Sequence, residues 1–141
     1  MPLVYSCSGC SNVAQLANAV AVRLDRAGLA EMSCIVGVGG GVKPLVRKAE
    51  SGRPIIVIDG CPLACCETVL EARGLRPARL VKLHERGLRK RYRTDFSPDD
   101  QDLVYGELVE ELGPLLGPTE SFEGRHPVHA ADGRGGKTGD G

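Results

Sequence analysis

Apolar residues along this chain fall into two rhythms, short unbroken runs and longer stretches spaced three and four apart. Leu3-Val4-Tyr5 is a run that ends in Ser6-Cys7-Ser8-Gly9-Cys10, and it reads as a buried strand leaving into a tight turn. Val13, Leu16, Ala17, Val20, Leu24 and Ala27 then recur at helical spacing. Asn12 with Gln15 offers a capping box, Ser11 is the other candidate cap, and Gly28 is the stop. Met32-Ser33-Cys34-Ile35-Val36 predicts a second strand running into a flexible loop, Gly37-Val38-Gly39-Gly40-Gly41. A shorter helix is expected from about Pro44 to Gly52.

The clearest strand is Pro54-Ile55-Ile56-Val57-Ile58. Its unbroken β-branched run, without alternation, suits a central strand covered on both faces. It ends at Asp59-Gly60-Cys61, after which Pro62 is expected to open a helix running to Arg73. Arg79 to Leu83 gives a fourth strand. Ser97-Pro98-Asp99-Asp100 is a helix start built from a cap, a proline at the first position and acids placed against the helix dipole. Strands alternating with helices indicate a single α/β domain over residues 1–116. The expected architecture is a small, mostly parallel, Rossmann-like sheet of about four strands with right-handed crossovers. From residue 117 to 141 glycine, proline and charge dominate, and such a tail is expected to be disordered.

Composition narrows the function. Lys+Arg and Asp+Glu both number 18, so no whole-molecule field recruits nucleic acid or a membrane. The opening residues carry neither a basic nor an apolar leader region, which makes the cytosol the expected compartment. In that setting six cysteines point to reduced thiols that bind metal or do redox chemistry, in preference to disulfides.

On the predicted scheme Cys7 and Cys10 lie just past the first strand, and Cys61 and Cys65 just past the Ile55–Ile58 strand. The carboxyl ends of parallel strands line one edge of the sheet, where ligands bind. The Cys7-x-x-Cys10 spacing is a knuckle able to aim two sulfurs at one ion. Cys61-x-x-x-Cys65 straddles an expected helix start, where backbone N–H groups favour thiolates. The four together make the donor set of a zinc site. Cys34 and Cys66 stand between ligand and buried core residue, because Cys66 is turned about 100° from Cys65 along a helix.

Asp59-Gly60-Cys61-Pro62-Leu63, with Cys65 behind it, resembles the motif that names the DGC domain family. Ser6-Cys7-Ser8-Gly9-Cys10-Ser11-Asn12 resembles a second segment of that family, and Met32 to Gly40 a third. Leu88-Arg89-Lys90-Arg91 leading to Asp95-Phe96 resembles a fourth. The resemblance runs from about Pro2 to Phe96 and implies zinc on four cysteines, matched here by Cys7, Cys10, Cys61 and Cys65. Cys66 departs from it, since a non-cysteine residue is expected after the second cysteine of the motif.

Other features are weaker. Gly37-x-Gly39-Gly40-Gly41 lacks the spacing and the lysine of a nucleotide loop. The basic segment Arg86 to Arg93 reads as a solvated loop or as a docking patch for a protein partner. His84 ends the fourth strand near the same rim, and Asp59 is an acceptor or turn residue beside it. No nucleophile triad or paired carboxylate is visible. The leading expectation is one zinc ion held by four thiolates, for structure or for metal handling and sensing. A sulfur carrier or thiol redox protein and an iron–sulfur cluster protein are the alternatives.

Overall fold

The computed structural model of the chain describes residues 1–118; the tail read from residue 117 lies, from residue 119 onward, outside the described residues. Four strands form one all-parallel sheet: β1 (Leu3–Ser6), β2 (Glu31–Met32), β3 (Ile55–Asp59) and β4 (Arg79–Lys82). Their order is β2-β1-β3-β4. β1 and β3, the two central strands, are buried at every residue, as a sheet covered on both faces requires.

Side chains alternate across the pleat, so each central strand feeds two cores. Val4, Ile56 and Ile58 face α1 (Asn12–Arg26) and pack with Leu16, Val20 and Leu24. The same core takes in Val104, Leu108 and Leu112 of the C-terminal helix, Pro98–Leu112. Leu3, Tyr5, Ile55 and Val57 face the other way. They pack with Val38 of α2 (Ile35–Gly39), Ala49 of α3 (Lys43–Ala49), and Cys66 and Leu70 of α4 (Cys65–Glu71). The chain winds outward from β1 to β2 and then crosses back to β3 and β4. Crossovers of one hand therefore place α1 on one face and α2, α3 and α4 on the other. The C-terminal helix, α5, is tied to the layer beneath it by Arg23, which pairs with Asp102 at 2.6 Å and lies 4.1 Å from the Tyr105 ring centroid. Arg86 adds pairs to Glu107 and Glu111.

The α/β class, the parallel sheet and its four strands match the sequence reading; three local expectations do not. The second strand stops at Met32, and residues 35–39, expected as strand and flexible glycine loop, form α2. Val38 of that helix is fully buried in the second core, and this burial outweighs the poor helix propensity of its glycines. Ser11, and not the Asn12–Gln15 box, caps α1: its hydroxyl accepts the Ala14 N–H at 3.2 Å. Gln15 instead donates to the Gly9 carbonyl at 2.8 Å. Finally, Pro62 does not open a helix. Residues 61–64 are a turn, and α4 begins at Cys65.

Leu108 is fully buried where α5 covers the first core. Leu108→Ala is expected to lower unfolding free energy by about 2–5 kcal/mol in chemical denaturation. A loss below about 1 kcal/mol would show that α5 is peripheral.

Candidate metal centre

Order 2-1-3-4 makes the chain leave β1 and β3 in opposite directions across the sheet. The gap between their carboxyl ends is thus the topological switch point, the place where open α/β sheets bind ligands. Cys7 follows β1 and Cys61 stands just beyond the end of β3. In-register pairing of Ser6 with Ile58 brings these two ends side by side, and the Cys7 N–H donates to the Ile58 carbonyl at 3.3 Å.

The sequence Asp59-Gly60-Cys61 divides three duties among three neighbours. Asp59 has the pleat parity of Ile55 and Val57, so its carboxylate emerges on the α4 side. There it accepts the N–H groups of Cys66 and Glu67, both at 3.0 Å. These are the second and third residues of α4, whose own cap position is Ala64, with no capping side chain. Asp59 therefore does the capping from the preceding strand. Burial raises its pKa above the ordinary carboxylate value, and the two backbone N–H groups pull the other way. A residue read from sequence as a turn acceptor is 1% exposed and ends the strand.

Gly60 has a steric duty. A Cβ there would sit 2.5 Å from the Val13 carbonyl oxygen and 2.8 Å from the Ala14 nitrogen, so only glycine lets the strand end pass the first turn of α1. The close approach also aims the Gly60 N–H at Cys7 Sγ, 3.2 Å away. Cys61 comes next and begins the turn. The Ala64 N–H closes that turn onto the Cys61 carbonyl at 3.1 Å, with Ala64 in the left-handed region at φ 49°. An alanine there is strained by roughly 1 kcal/mol. The strained turn carries the chain from Cys61 to Cys65 in four residues.

Cys7 and Cys61 are half-buried; Cys10, Cys34 and Cys65 are exposed; Cys66 is buried. Burial pushes the Cys7 thiol up to about 11. The Gly60 N–H opposes this, while the charges of Asp59, Cys61 and Cys65 add to it. Cys7, Cys61 and Cys65 thus share one electrostatic neighbourhood. Cys10 lies on the exposed loop beyond Cys7, and among the described residues no three His, Cys, Asp or Glu side chains already form a ready cage for an ion. Cys66 points away from the rim into the second core, beside Leu3, Tyr5 and Leu70, and burial drives its thiol far above the ordinary range. Of the adjacent pair, Cys65 is at the rim and Cys66 is a small core residue. Cys34 precedes α2 and makes no capping hydrogen bond. α2 runs beside α4, close enough that a Cβ at Gly39 would touch Val69.

The sequence reading missed Lys90. Its ammonium lies 3.6 Å from Cys61 Sγ. The basic segment is not a loose loop, because Asn12 grips it from the first residue of α1. The Asn12 side chain donates to the Arg89 carbonyl at 3.0 Å and accepts the Arg91 N–H at 2.6 Å, and its backbone N–H donates to the Arg91 carbonyl at 3.1 Å. The signal available in sequence was indirect: Asn12 and the Leu88–Arg91 stretch both lie in segments resembling one family. His84, left outside the ligand set, donates its backbone N–H to the Gly60 carbonyl at 3.1 Å. Its Nδ1 and the Ser6 hydroxyl are buried without a hydrogen-bond partner among the described residues. Unpaired polar atoms at a sheet edge are places where water or a bound group completes the bonding.

Two substitutions test this assignment. Gly60→Ala is expected to destabilise the fold by more than about 2 kcal/mol, because backbone must move to admit one methyl. Cys66→Ser, which buries an unpaired hydroxyl, is expected to cost about 1–3 kcal/mol in thermal or chemical melts of the metal-free protein, with Cys65→Ser within about 0.5 kcal/mol of wild type. The reverse ranking would exchange the roles of the two cysteines.

No helix among the described residues is long and apolar enough to cross a membrane. No solved structure matches the chain. The chain is 56% identical over 114 residues to the anaerobic and virulence modulator AnvM of Pseudomonas aeruginosa, covering 81% of this chain and 87% of that protein. The DGC domain model matches residues 3–108, spanning β1 through most of α5 and every cysteine, and the chain belongs to the DGC domain family.

Proposed function

We propose that the protein binds one zinc ion through the thiolates of Cys7, Cys10, Cys61 and Cys65, and that it does so to handle or sense the metal and not to hold its fold together. The observation that carries this is the placement of Cys7 and Cys61 on adjacent parallel strand ends at the switch point, linked by the Gly60 N–H to Cys7 Sγ. Cys65 follows within one short turn. Donor chemistry fits. Four thiols with N–H groups directed at sulfur suit zinc, and the bound ion would supply charge neutralisation for thiolates that burial otherwise disfavours. Cys10, exposed on the loop just beyond Cys7, is the fourth donor in this reading.

Two arguments support handling over structure. Both cores close on opposite faces of the sheet without help from the rim, and Asp59 already caps α4. A metal that makes a fold does so where the core is too small to stand alone, which is not this case.

Zinc added to the reduced, metal-free protein is expected to bind at one equivalent by elemental analysis. Ser in place of Cys7, Cys10, Cys61 or Cys65 should each weaken that binding, and Ser in place of Cys34 should not. Because burial pushes the Cys7 thiol up to about 11, that thiol must lose its proton to bind metal at neutral pH. The apparent affinity should therefore rise with pH between 6 and 8, by about tenfold per unit for each thiol proton displaced. Melting temperature of the metal-free protein should remain cooperative. A brown preparation absorbing in the visible would replace zinc by an iron–sulfur cluster. Absence of stoichiometric metal with a stable Cys7–Cys10 disulfide or a persulfide would replace it by thiol chemistry.

A further inference from the structure

The segment that carries Lys90 to Cys61 also forms one wall of a cavity of about 420 Å3, and no cysteine lines that cavity. Its volume lies in the range of small-molecule sites, about 300–1,000 Å3. Leu88 and Phe96 line it and pack against the first core, which anchors its apolar part to the body of the fold. Asn12, at the start of α1, and Ser97, the cap of α5, line it as well, so two helix starts frame it. The basic wall is fixed, since the Asn12 side chain binds the Arg89 carbonyl and the Arg91 N–H. A bend at Tyr92 and Arg93, the latter in the left-handed region at φ 55°, then brings Asp95 back to the same cavity.

Four charged residues share the lining, Arg89 and Arg91 of one sign and Asp95 and Asp100 of the other. Opposite charges around one small cavity would ordinarily pair across it. Among the described residues none of the four makes an ion pair, with one another or elsewhere. The lining is therefore neutral in sum and unanswered in each half. A purely anionic ligand would be repelled by the two carboxylates, and a purely cationic one by the two guanidinium groups. A small molecule that carries both charges meets both halves at once. Its carboxylate accepts hydrogen bonds from the arginines, and its ammonium donates to the aspartates. Leu88 and Phe96 then offer contact to an uncharged side chain. We propose that this cavity binds a free α-amino acid, with Arg89 and Arg91 reading its carboxylate and Asp95 and Asp100 its ammonium group. The binding needs neither a metal nor a cysteine.

The test titrates the metal-free full chain with the common α-amino acids, one at a time at millimolar concentration. Backbone amide shifts of Leu88, Arg89, Arg91, Asp95 and Asp100 are followed by NMR, and at least one amino acid is expected to move them saturably. The analogue of that amino acid without its ammonium group, and the analogue without its carboxylate, should each bind at least about tenfold more weakly, because each leaves one half of the lining unanswered. Glucose, which carries neither charge, should not bind. Two double variants of conserved size assign the two ends, their folding checked by melting temperature. Asp95→Asn with Asp100→Asn should abolish the preference for the amino acid over its deaminated analogue. Arg89→Gln with Arg91→Gln should abolish the preference over the decarboxylated one. No saturable shift with any amino acid, equal binding of the analogues or of glucose, or preferences that survive in the folded variants would each overturn the inference. Zinc uptake by Cys7, Cys10, Cys61 and Cys65 is read separately, so either reading can fail while the other stands.

Discussion

The close approach of the β3 terminus to the first turn of α1 is the contact on which the rest of this rim depends. Parallel pairing alone brings the ends of β1 and β3 to the same height, but it leaves the direction of the emerging chain open. Gly60 settles it by passing within a Cβ's reach of the Val13 carbonyl, which places its N–H on Cys7 sulfur. One residue earlier, the Asp59 carboxylate binds the N–H groups of Cys66 and Glu67 and so fixes where α4 begins. Adjacent residues thus orient elements on opposite faces of the sheet, α1 on one and α4 on the other. Any side chain at position 60, or the loss of the carboxylate at 59, would disturb both directions together.

The buried carboxylate creates a tension that the thiols share. Burial raises the pKa values of Asp59 and Cys7, and negative charges nearby raise the latter further. A negative charge in this neighbourhood is therefore expensive unless something positive is brought to it. Lys90 brings one such charge to Cys61. Under the proposed reading a divalent cation would bring two to the whole group.

Much of this was legible in the sequence, and the failures share a cause. β3 could be read because an unbroken β-branched run has few other uses, and α5 because cap, proline and acids coincide at Ser97–Asp100. Placing the cysteines at strand ends followed from those elements and from the parallel topology. Residues 35–39 were misread because their helix is stabilised by contacts from α3 and α4, such as Leu45 packed against Gly37, and these are not local in sequence. The start of α4 was misplaced for a related reason: Asp59, six residues before Cys65, does the capping. Lys90 escaped notice because nothing local relates it to Cys61, 29 residues away.

Asn12 shows how such distant relations are built. It is the first residue of α1 and one step from the cap residue Ser11, so its backbone position is set by the same helix start that meets Gly60. From there one side chain satisfies a carbonyl at Arg89 and an N–H at Arg91, which is how an isolated strand would be paired. A helix terminus near the cysteines thereby holds a basic segment from the far side of β4. Such a clamp would be wasted on a solvated loop, since ordering a cationic stretch costs conformational entropy and brings like charges together. Lys90 stands between the two anchored residues, so the clamp that fixes Arg89 and Arg91 also fixes the backbone from which its ammonium reaches Cys61 Sγ.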